Sequence, residues 1–339
     1  MNYKESGLKS FEALSVVLIL LLSLYPLYSL ISHYTGGDQV AYNLLYERFA
    51  SVSNARELFS VAQSTVSSYE IVSPVVLWLG SYLGIDKNLY ITVLNLILLS
   101  LLVISMRCLG ASWLIVLLLI FNFYLIVLFT GTERLKIAFI FALLATFGGR
   151  KFRLLMSLIS ILAHFQMIIL LAGLFMFFNA ETYLRSIKDV LASWKLDRNI
   201  VIGVFSILLI CFVILFVPGL MEGLINKGTG YFRYDGFNPS EFIQFFVLAV
   251  SFIIARGAKV GFKTLVFILF FFVVIGLLGG ERVNMIFFSA TLFVLLAEKK
   301  LVMTRVYSWP FILVLFYLAV KSVGFVNNIY LYGNGFYRG

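Results

Sequence analysis

The chain alternates long apolar runs with short polar connections along its whole length. The runs cover 11–32, 71–85, 89–106, 113–130, 135–147, 154–178, 200–218, 241–255, 264–279, 284–297 and 306–323. A helix needs about 20 residues to cross a bilayer, and in lipid a helix satisfies its own backbone hydrogen bonds. The pattern therefore predicts an all-α integral membrane protein with about 10–12 transmembrane helices.

Two of the runs differ from an ordinary membrane span. Run 71–85 is short and contains Pro74, which predicts a partial or re-entrant helix. Run 154–178 is unusually long and carries His164 and Gln166 near its middle. We interpret it as two short helices that meet around His164 at the outer side of the membrane. We therefore count one or two short or re-entrant helices among those predicted.

The polar connections set the predicted organisation and orientation. Three are longer than a turn, and no linker rich in proline or serine interrupts the chain, which predicts one polytopic membrane domain over 1–339. Lysine and arginine in short loops favour the cytoplasmic side. The strongest basic clusters are Arg150, Lys151 and Arg153; Arg256, Lys259 and Lys263; and Lys299, Lys300 and Arg305.

With these clusters inside, the N-terminus is predicted to be cytoplasmic and the C-terminal tail 324–339 external. The connections 33–70 and 219–240 are then external. The connection 179–199 carries four basic residues and is predicted to form an amphipathic helix on the inner surface.

Composition narrows the class of protein. Hydrophobic residues make up 62% of the chain and charged residues 12%, against about 25% charged in soluble domains. This excludes a soluble enzyme, a disordered chain and a secreted disulfide scaffold. The net charge of +10 arises from interhelical loops, which favours membrane orientation and an anionic substrate over nucleic acid. Two cysteines and two histidines without a cluster predict no metal site.

Two arginines occupy equivalent positions at predicted helix starts. Gly131-Thr132-Glu133-Arg134 and Gly280-Glu281-Arg282 each place a glycine, an acid and an arginine before an apolar run. A guanidinium group suits phosphate, and a helix N-terminus favours an anion. For Arg134, an interfacial anchor or an ion pair with Glu133 is the structural alternative.

Three further sites contain candidate chemistry. His164 in an apolar run suits a general base or a donor to phosphate, or is held by a neighbouring helix. Asp38 suits a base or a hydroxyl-binding group, or a turn former or helix cap. After it, Val40, Leu44, Leu45 and Phe49 have helical spacing, so this stretch is suited to lie on the membrane. Aromatic and charged residues of connection 219–240 suit a sugar-binding lid or an interfacial belt; they are Tyr231, Arg233, Tyr234 and Asp235.

Four features resemble a known family when taken in chain order. They are Gly37-Asp38 followed by Tyr42 and Tyr46, the segment from Pro74 to Leu83-Gly84, Arg134 followed by Ile137-Ala138, and Ala163-His164-Phe165. This pattern resembles the EpsG-like and Wzy-type bacterial polysaccharide polymerases, including the O-antigen polymerases. The resemblance covers about half of the chain.

The resemblance implies a GT-C-like, metal-independent glycosyltransferase with no cofactor in the bacterial cytoplasmic (inner) membrane. It implies that repeat units carried on undecaprenyl pyrophosphate are joined at the outer face, with lipid-linked glycans as donor and acceptor and a chain-length-regulating membrane protein as a further partner. Arg134 and Arg282 would stabilise the leaving pyrophosphate, with Arg233 as a third candidate. The base would be one of Asp38, Asp235, Glu281 and His164.

Two other classes of membrane protein stay open. A flippase or transporter of lipid-linked oligosaccharides is the first, although it predicts internal repeats and charges near the bilayer midplane, and the chain has no visible repeat. A membrane O-acyltransferase is the second, although it predicts histidine and arginine at the inner side. The chain has no nucleotide-binding motif such as GxxxxGK[ST], which disfavours ATP-driven transport.

Overall fold

The computed structural model of the protein describes residues 10–193, 239–257, 261–301 and 305–337. These residues form helices and no strands, which confirms the predicted all-α membrane fold class. They divide into two compact units, with boundaries after Met167 and after Leu295. The single domain over 1–339 stays a prediction.

Unit 1 contains the first nine helices and the last one. They are α1 (Ser10–His33), α2 (Asp38–Phe49), α3 (Ala55–Val66), α4 (Val72–Tyr82), α5 (Lys87–Cys108), α6 (Trp113–Ile120), α7 (Phe123–Thr130), α8 (Glu133–Leu144), α9 (Arg150–Ala163) and α14 (Trp309–Tyr332). Unit 2 begins within the first turn of α10. Its helices are α10 (Met167–Ser193), α11 (Pro239–Ala255), α12 (Phe262–Leu278) and α13 (Gly280–Ala297).

Within the described ranges, three helices are long and apolar enough to cross a bilayer. They are Glu12–His33, Lys87–Cys108 and Val306–Tyr332. The pair α6 and α7 meets the same test together but is bent by 49°. Several other apolar helices are shorter, including α4, α12 and α13. The predicted total of 10–12 spans is not tested by these helices.

The bend between α6 and α7 falls inside the single predicted run 113–130. Asn122 causes it locally: its side-chain oxygen accepts a hydrogen bond from the Tyr124 N–H at 2.9 Å and so caps a new helix. Asparagine competes with the helical backbone in this way and favours helix starts. Asn122 is fully buried, so the break lies inside unit 1.

The helix break at His164 is confirmed, but only the first of the two helices is short, since the second has 27 residues. Run 154–178 is divided between α9, which ends at Ala163, and α10, which begins at Met167. The short helix predicted around Pro74 is also confirmed, as the 11-residue α4. The outer-side position of the break stays a prediction.

Three predicted boundaries differ from the structure. The amphipathic helix expected over 179–199 is, as far as Ser193, the continuation of α10; residues 194–199 lie outside the described part. The tail expected from residue 324 is still helical until Tyr332, because Phe325 and Ile329 are buried and extend the packed face of α14. Connection 33–70, expected as an external segment, contains both α2 and α3.

The two ends of unit 1 differ in charge. At the end that we call the basic end, Arg107 closes α5 and pairs with Glu12 of α1 at 2.6 Å. The basic segment Arg150-Lys151-Phe152-Arg153 at the start of α9 is exposed. It follows α8, and the hydroxyl groups of Thr146, just after α8, and Ser105 of α5 lie 3.4 Å apart. The exposed basic segment 150–153 and the Arg107–Glu12 ion pair thus lie at this end.

The opposite end, which we call the polar end, collects the termini of six helices. His33 at the end of α1 lies against Tyr330 near the end of α14, with ring centroids 4.7 Å apart. The N–H groups of Thr35 and Gly36 donate to the Gly333 carbonyl at 3.0 and 2.8 Å. The starts of α5 and α8 and the end of α9 meet here through the side-chain contacts that form the candidate site.

Candidate functional site

The first part of the candidate site is a buried ion cluster centred on Glu70. Its Oε2 accepts hydrogen bonds from Arg134 Nη1 at 2.7 Å and from the hydroxyl of Ser68. Its Oε1 lies 2.9 Å from His164 Nδ1. Glu70 is 3% exposed, His164 6% and Arg134 9%. One carboxylate therefore joins an imidazole and a guanidinium away from solvent.

Glu70 is positioned by the connection between α3 and α4. The Ile71 N–H donates to the Leu162 carbonyl of α9 at 3.0 Å. Two residues later, the buried Ser73 hydroxyl lies 2.5 Å from the Ala163 carbonyl and 3.4 Å from the Arg134 carbonyl. These bonds fix the start of α4 between α8 and α9, so the carboxylate lies where both helices bring their polar residues.

His164 lies at the break that sequence analysis predicted. Its backbone is extended, with φ −157° and ψ 117°, which ends α9. The Met167 N–H donates to its carbonyl at 2.9 Å and starts α10. One ring nitrogen contacts Glu70, and the other, Nε2, lies 3.1 Å from Oε1 of the half-buried Gln166. The break thus turns an imidazole toward a carboxylate instead of toward lipid.

The electrostatics of this cluster favour an ionised Glu70, which lies outside the candidate spans. Burial alone raises the pKa of its carboxyl, but the hydrogen bond from His164, the charge of Arg134 and the hydrogen bond from Ser68 outweigh it. Together they hold the pKa well below its usual value. The Glu70 carboxylate therefore stays negatively charged at neutral pH, between the His164 imidazole and the Arg134 guanidinium.

A second ion pair is buried beside the first. Lys136 Nζ donates to Glu133 Oε2 at 2.7 Å and to the Phe129 carbonyl at 2.9 Å. Lys136 is 0% exposed and Glu133 1%. Gln39 of α2 donates to Glu133 Oε1 at 2.7 Å and to the Thr130 carbonyl. The turn between α7 and α8 is therefore fixed by charged side chains.

Lys87, at the start of α5, is connected to this second pair through Gln39. Its ammonium donates to the amide oxygen of Gln39 at 2.5 Å and to that of Asn43. Gln39 thus links Lys87 to Glu133. Across the two connected groups the hydrogen-bonded cations are Lys87, Arg134 and Lys136 and the anions are Glu70 and Glu133, so that one positive charge is in excess.

The structure brings together two of the residues that sequence analysis singled out, Arg134 and His164, through Glu70. Arg134 is buried and does not pair with its neighbour Glu133, so neither structural alternative describes it. Adjacent residues on a helix do not face each other, whereas residues three apart do, and Glu133 accordingly pairs with Lys136. Asp38, the first residue of α2, is exposed.

The remaining predicted residues belong to the second half of the chain. Arg282 is in the first turn of α13 and is half-buried. The Glu281 side chain is outside the described part of the chain. So are four residues of the predicted lid, Tyr231, Arg233, Tyr234 and Asp235.

Sequence analysis missed Glu70, Gln39 and Lys87 as site residues. Glu70 precedes α4, Gln39 is in the first turn of α2 and Lys87 begins α5. In the sequence all three belong to polar connections, where charged and amide side chains are ordinary, so no local signal distinguishes them. Lys136 carried a signal, because a lysine one turn into an apolar helix must be paired. Among the described residues, no group of three or more His, Cys, Asp or Glu side chains is arranged to hold a metal ion.

Comparisons with known proteins found no matching family model, no matching curated protein and no matching solved structure.

Proposed function

We propose that the chain is a polysaccharide polymerase, a membrane glycosyltransferase that joins repeat units carried on undecaprenyl pyrophosphate. The observation that carries the proposal is the contact of one buried carboxylate, Glu70, with both His164 and Arg134. His164 is a candidate proton acceptor, and the Arg134 guanidinium is a hydrogen-bond donor suited to phosphate. Transfer of a sugar from a diphosphate requires both kinds of group.

The charge distribution of unit 1 supports an outward-facing site. Short-loop cations are typical of the cytoplasmic side, and the exposed basic segment 150–153 lies with Arg107 at the basic end. The cluster around Glu70 lies at the polar end. In the proposed orientation the N-terminus is cytoplasmic, α1 and α14 end externally, and the protein resides in a bacterial cytoplasmic membrane with its site at the outer face.

The proposed reaction breaks one bond and forms another. The acceptor hydroxyl oxygen bonds to the anomeric carbon of the donor sugar, while the bond from that carbon to the diphosphate oxygen breaks and its electron pair leaves with the lipid diphosphate. The hydroxyl proton moves to Nε2 of a neutral His164, in the tautomer whose Nδ1–H donates to Glu70, after the Gln166 amide oxygen has turned away and left Nε2 to the acceptor. Glu70 holds the imidazole and stabilises the cation that forms, and Arg134 stabilises the leaving diphosphate.

The other predicted residues keep the roles that the sequence suggests. Arg282, in the first turn of α13, stays a candidate ligand for a diphosphate. Asp38 at the start of α2 is an exposed group that can contact acceptor hydroxyls. The proposed sugar contacts from the lid are Tyr231, Arg233, Tyr234 and Asp235, and Glu281 remains an alternative base.

The test is the length of surface polysaccharide in a deletion strain complemented with single variants. Arg134→Lys keeps a positive charge but loses the planar pair of donors, and His164→Asn removes the base. We expect each variant to leave only glycans with one repeat unit, as the deletion does. Arg48→Lys is the matched control, because Arg48 is exposed and contacts only the Thr65 hydroxyl at 3.2 Å.

Protein level is measured in the same membranes, since Arg134 is buried and its loss also affects folding. Full-length polysaccharide from both site variants, at the protein level of the control, would mean that the proposal is wrong.

A second candidate function is transport of a lipid-linked oligosaccharide. The buried pairs Glu70 with Arg134 and Glu133 with Lys136 support it, because paired charges within membrane proteins mark ion and proton pathways. The deletion strain separates the two functions. Loss of every repeat unit from the surface favours transport, and retention of single units favours the polymerase.

A further inference from the structure

The first two turns of α2 bury two polar side chains and expose two apolar ones. Gln39 is 1% exposed and Tyr42 7%, whereas Val40 is 59% and Leu44 42% exposed. The exposed Val40 and Leu44 agree with the predicted position of this stretch against the membrane. The other two residues of the predicted apolar stripe, Leu45 and Phe49, are buried in unit 1.

The buried face of α2 covers two cations with neutral oxygen atoms. Tyr42 Oη accepts from Arg134 Nε at 3.2 Å. The amide oxygens of Gln39 and Asn43 both accept from Lys87. These three α2 residues lie within one turn, about 6 Å along the helix axis. A single short stretch of α2 therefore occupies donors on α5 and α8.

The cations of the cluster differ in their partners. Lys136 donates to the Glu133 carboxylate and has no hydrogen bond to an α2 oxygen among the described contacts. Arg134 donates through Nη1 to Glu70 and through Nε to Tyr42. Lys87 donates no hydrogen bond to a carboxylate among the described residues, and two of the three N–H donors of its ammonium go to amide oxygens. Of the three hydrogen-bonded cations, Lys87 is thus the one without a carboxylate partner, and it is half-buried.

We propose that Lys87 and Arg134 form a binding site for a diphosphate group, and that α2 is a displaceable cap whose neutral oxygens occupy this site until the diphosphate replaces them. The proposal rests on the proposed function, in which a diphosphate is the leaving group. It adds Lys87 as a ligand and gives α2 a role in admitting the substrate.

The charge of the diphosphate favours the exchange. A diphosphate adds Coulomb attraction to both cations, which a neutral amide or phenol oxygen lacks. A diphosphate oxygen therefore competes well against an amide or phenol oxygen. The internal pairs, Glu70 with Arg134 and Glu133 with Lys136, do not involve these α2 oxygens and are retained.

The attachment of α2 allows its first half to move. Its second half is anchored by the buried Leu45 and Phe49 and by the Tyr46 hydroxyl, which donates to the Ile85 carbonyl at 3.0 Å. Its first turn follows Gly37, which has φ 57° and makes no side-chain cap. The contacts that hold this first half to the charged cluster are the hydrogen bonds of Gln39, Tyr42 and Asn43.

The experiment measures diphosphate binding to the full chain in lipid nanodiscs by isothermal titration calorimetry. The probes are inorganic pyrophosphate, farnesyl diphosphate and farnesol. Binding of both diphosphates and not of farnesol identifies the diphosphate as the recognised group. Much tighter binding of farnesyl diphosphate than of pyrophosphate assigns the site to a lipid-borne diphosphate, and equal affinity assigns it to the free anion.

Two variants are expected to act in opposite directions. Lys87→Met removes a ligand and should weaken pyrophosphate binding by about tenfold. Asn43→Ala removes a cap oxygen and should tighten it by about threefold. Lys151→Met, at the exposed basic end, and Leu44→Ala, on the outer face of α2, are the matched controls and should change nothing.

Hydrogen exchange of the same samples reports on the cap. Pyrophosphate should increase exchange of amides 39–43 and leave those of 45–49 unchanged. Weaker binding by both Lys87→Met and Asn43→Ala would overturn the cap, as would unchanged exchange in α2. Unchanged affinity in Lys87→Met would overturn the site.

These outcomes are separable from the proposed function. If single repeat units are still polymerised without His164 but diphosphate binding follows the pattern above, the site stands and the catalytic assignment falls. If polymerisation is lost as expected but Lys87→Met binds pyrophosphate normally, the catalytic assignment stands and the cap proposal falls.

Discussion

The polar end of unit 1 and the core of unit 2 are stabilised by different interactions. At the polar end, carboxylates, ammonium groups and a guanidinium are buried in pairs, with nitrogen to oxygen distances of 2.7 Å in Arg134 with Glu70 and Lys136 with Glu133. The described core of unit 2 is built from phenylalanine rings. The fully buried ones are Phe177, Phe245, Phe252, Phe267, Phe271 and Phe287.

This difference suits the two regions to different roles, with the polar end of unit 1 as the candidate site and the described core of unit 2 as structural packing. Apolar rings stabilise contacts between helices by van der Waals packing and need no charged partner, so a membrane protein can use them at any helix contact. Buried ion pairs are costly to desolvate and weak evidence of stability by themselves. Their concentration at one end of unit 1 agrees with the proposed functional site. The effects of mutations on stability should therefore differ between the two regions.

The largest expected effect is at Glu70. Glu70→Gln removes the anion that faces Arg134 and His164 and should lower the free energy of unfolding by about 3–5 kcal/mol, the cost of leaving a buried charge without its partner. The measurement is SDS unfolding of the purified protein in mixed micelles. Glu47→Gln is the control, since Glu47 is exposed. Equal stability of the two variants would contradict the electrostatic account of the polar end.

The next effect is at Phe287 in unit 2. Its ring lies 4.8 Å from Phe245 and 4.9 Å from Phe271, centroid to centroid. Phe287→Ala should cost about 2–3 kcal/mol, below the ~3–5 of soluble cores, because lipid already solvates apolar groups in the unfolded helices. The same unfolding titration measures it. Phe246→Ala, at a 52% exposed ring of the neighbouring α11, should cost clearly less, and an equal cost would contradict the packing argument.

A smaller effect is expected at two glycines of unit 2. A Cβ at Gly173 would lie 2.6 Å from a ring atom of Phe271, whereas a Cβ at Gly276 meets nothing within 4 Å. Gly173→Ala should destabilise the protein by about 1–3 kcal/mol through overpacking. Gly276→Ala should be neutral or slightly stabilising, since alanine favours a helix. Thermal melting of both variants in detergent tests this pair, and a loss of stability in Gly276→Ala alone would reverse the prediction.

The smallest effect is that of mild acid on the polar end. The pKa of the Glu70 carboxyl is held below its usual value of 4.5, so its contribution to stability is fully present above that pH. The contribution is lost as the pH falls through the lowered pKa of the folded state. Between pH 7 and pH 5 we therefore expect no loss of stability from Glu70.

Glu70→Gln gives the control for this pH dependence. The difference in unfolding free energy between wild type and Glu70→Gln should stay constant from pH 7 to pH 5 and shrink in stronger acid. A difference that already shrinks between pH 7 and pH 6 would mean that the carboxyl titrates near neutrality, contrary to the geometry.

Part of the site was predictable because it has a local signal. A histidine and a glutamine inside an apolar run predicted the helix break between α9 and α10, which is confirmed. An acid and an arginine at a helix start drew attention to Arg134. The error concerned its partner, because the ordinary expectation paired it with its neighbour Glu133, while helix geometry directs Glu133 to Lys136.

The sequence by itself determined that this is a helical membrane protein, because 62% hydrophobic residues in long runs leave no other way to satisfy the backbone in lipid. It also determined the helix break at His164. Only the tertiary structure decided which charges meet. Glu70 lies 94 positions from His164 and 64 from Arg134, and no periodicity encodes such a contact, since it arises when α4 is fixed between α8 and α9.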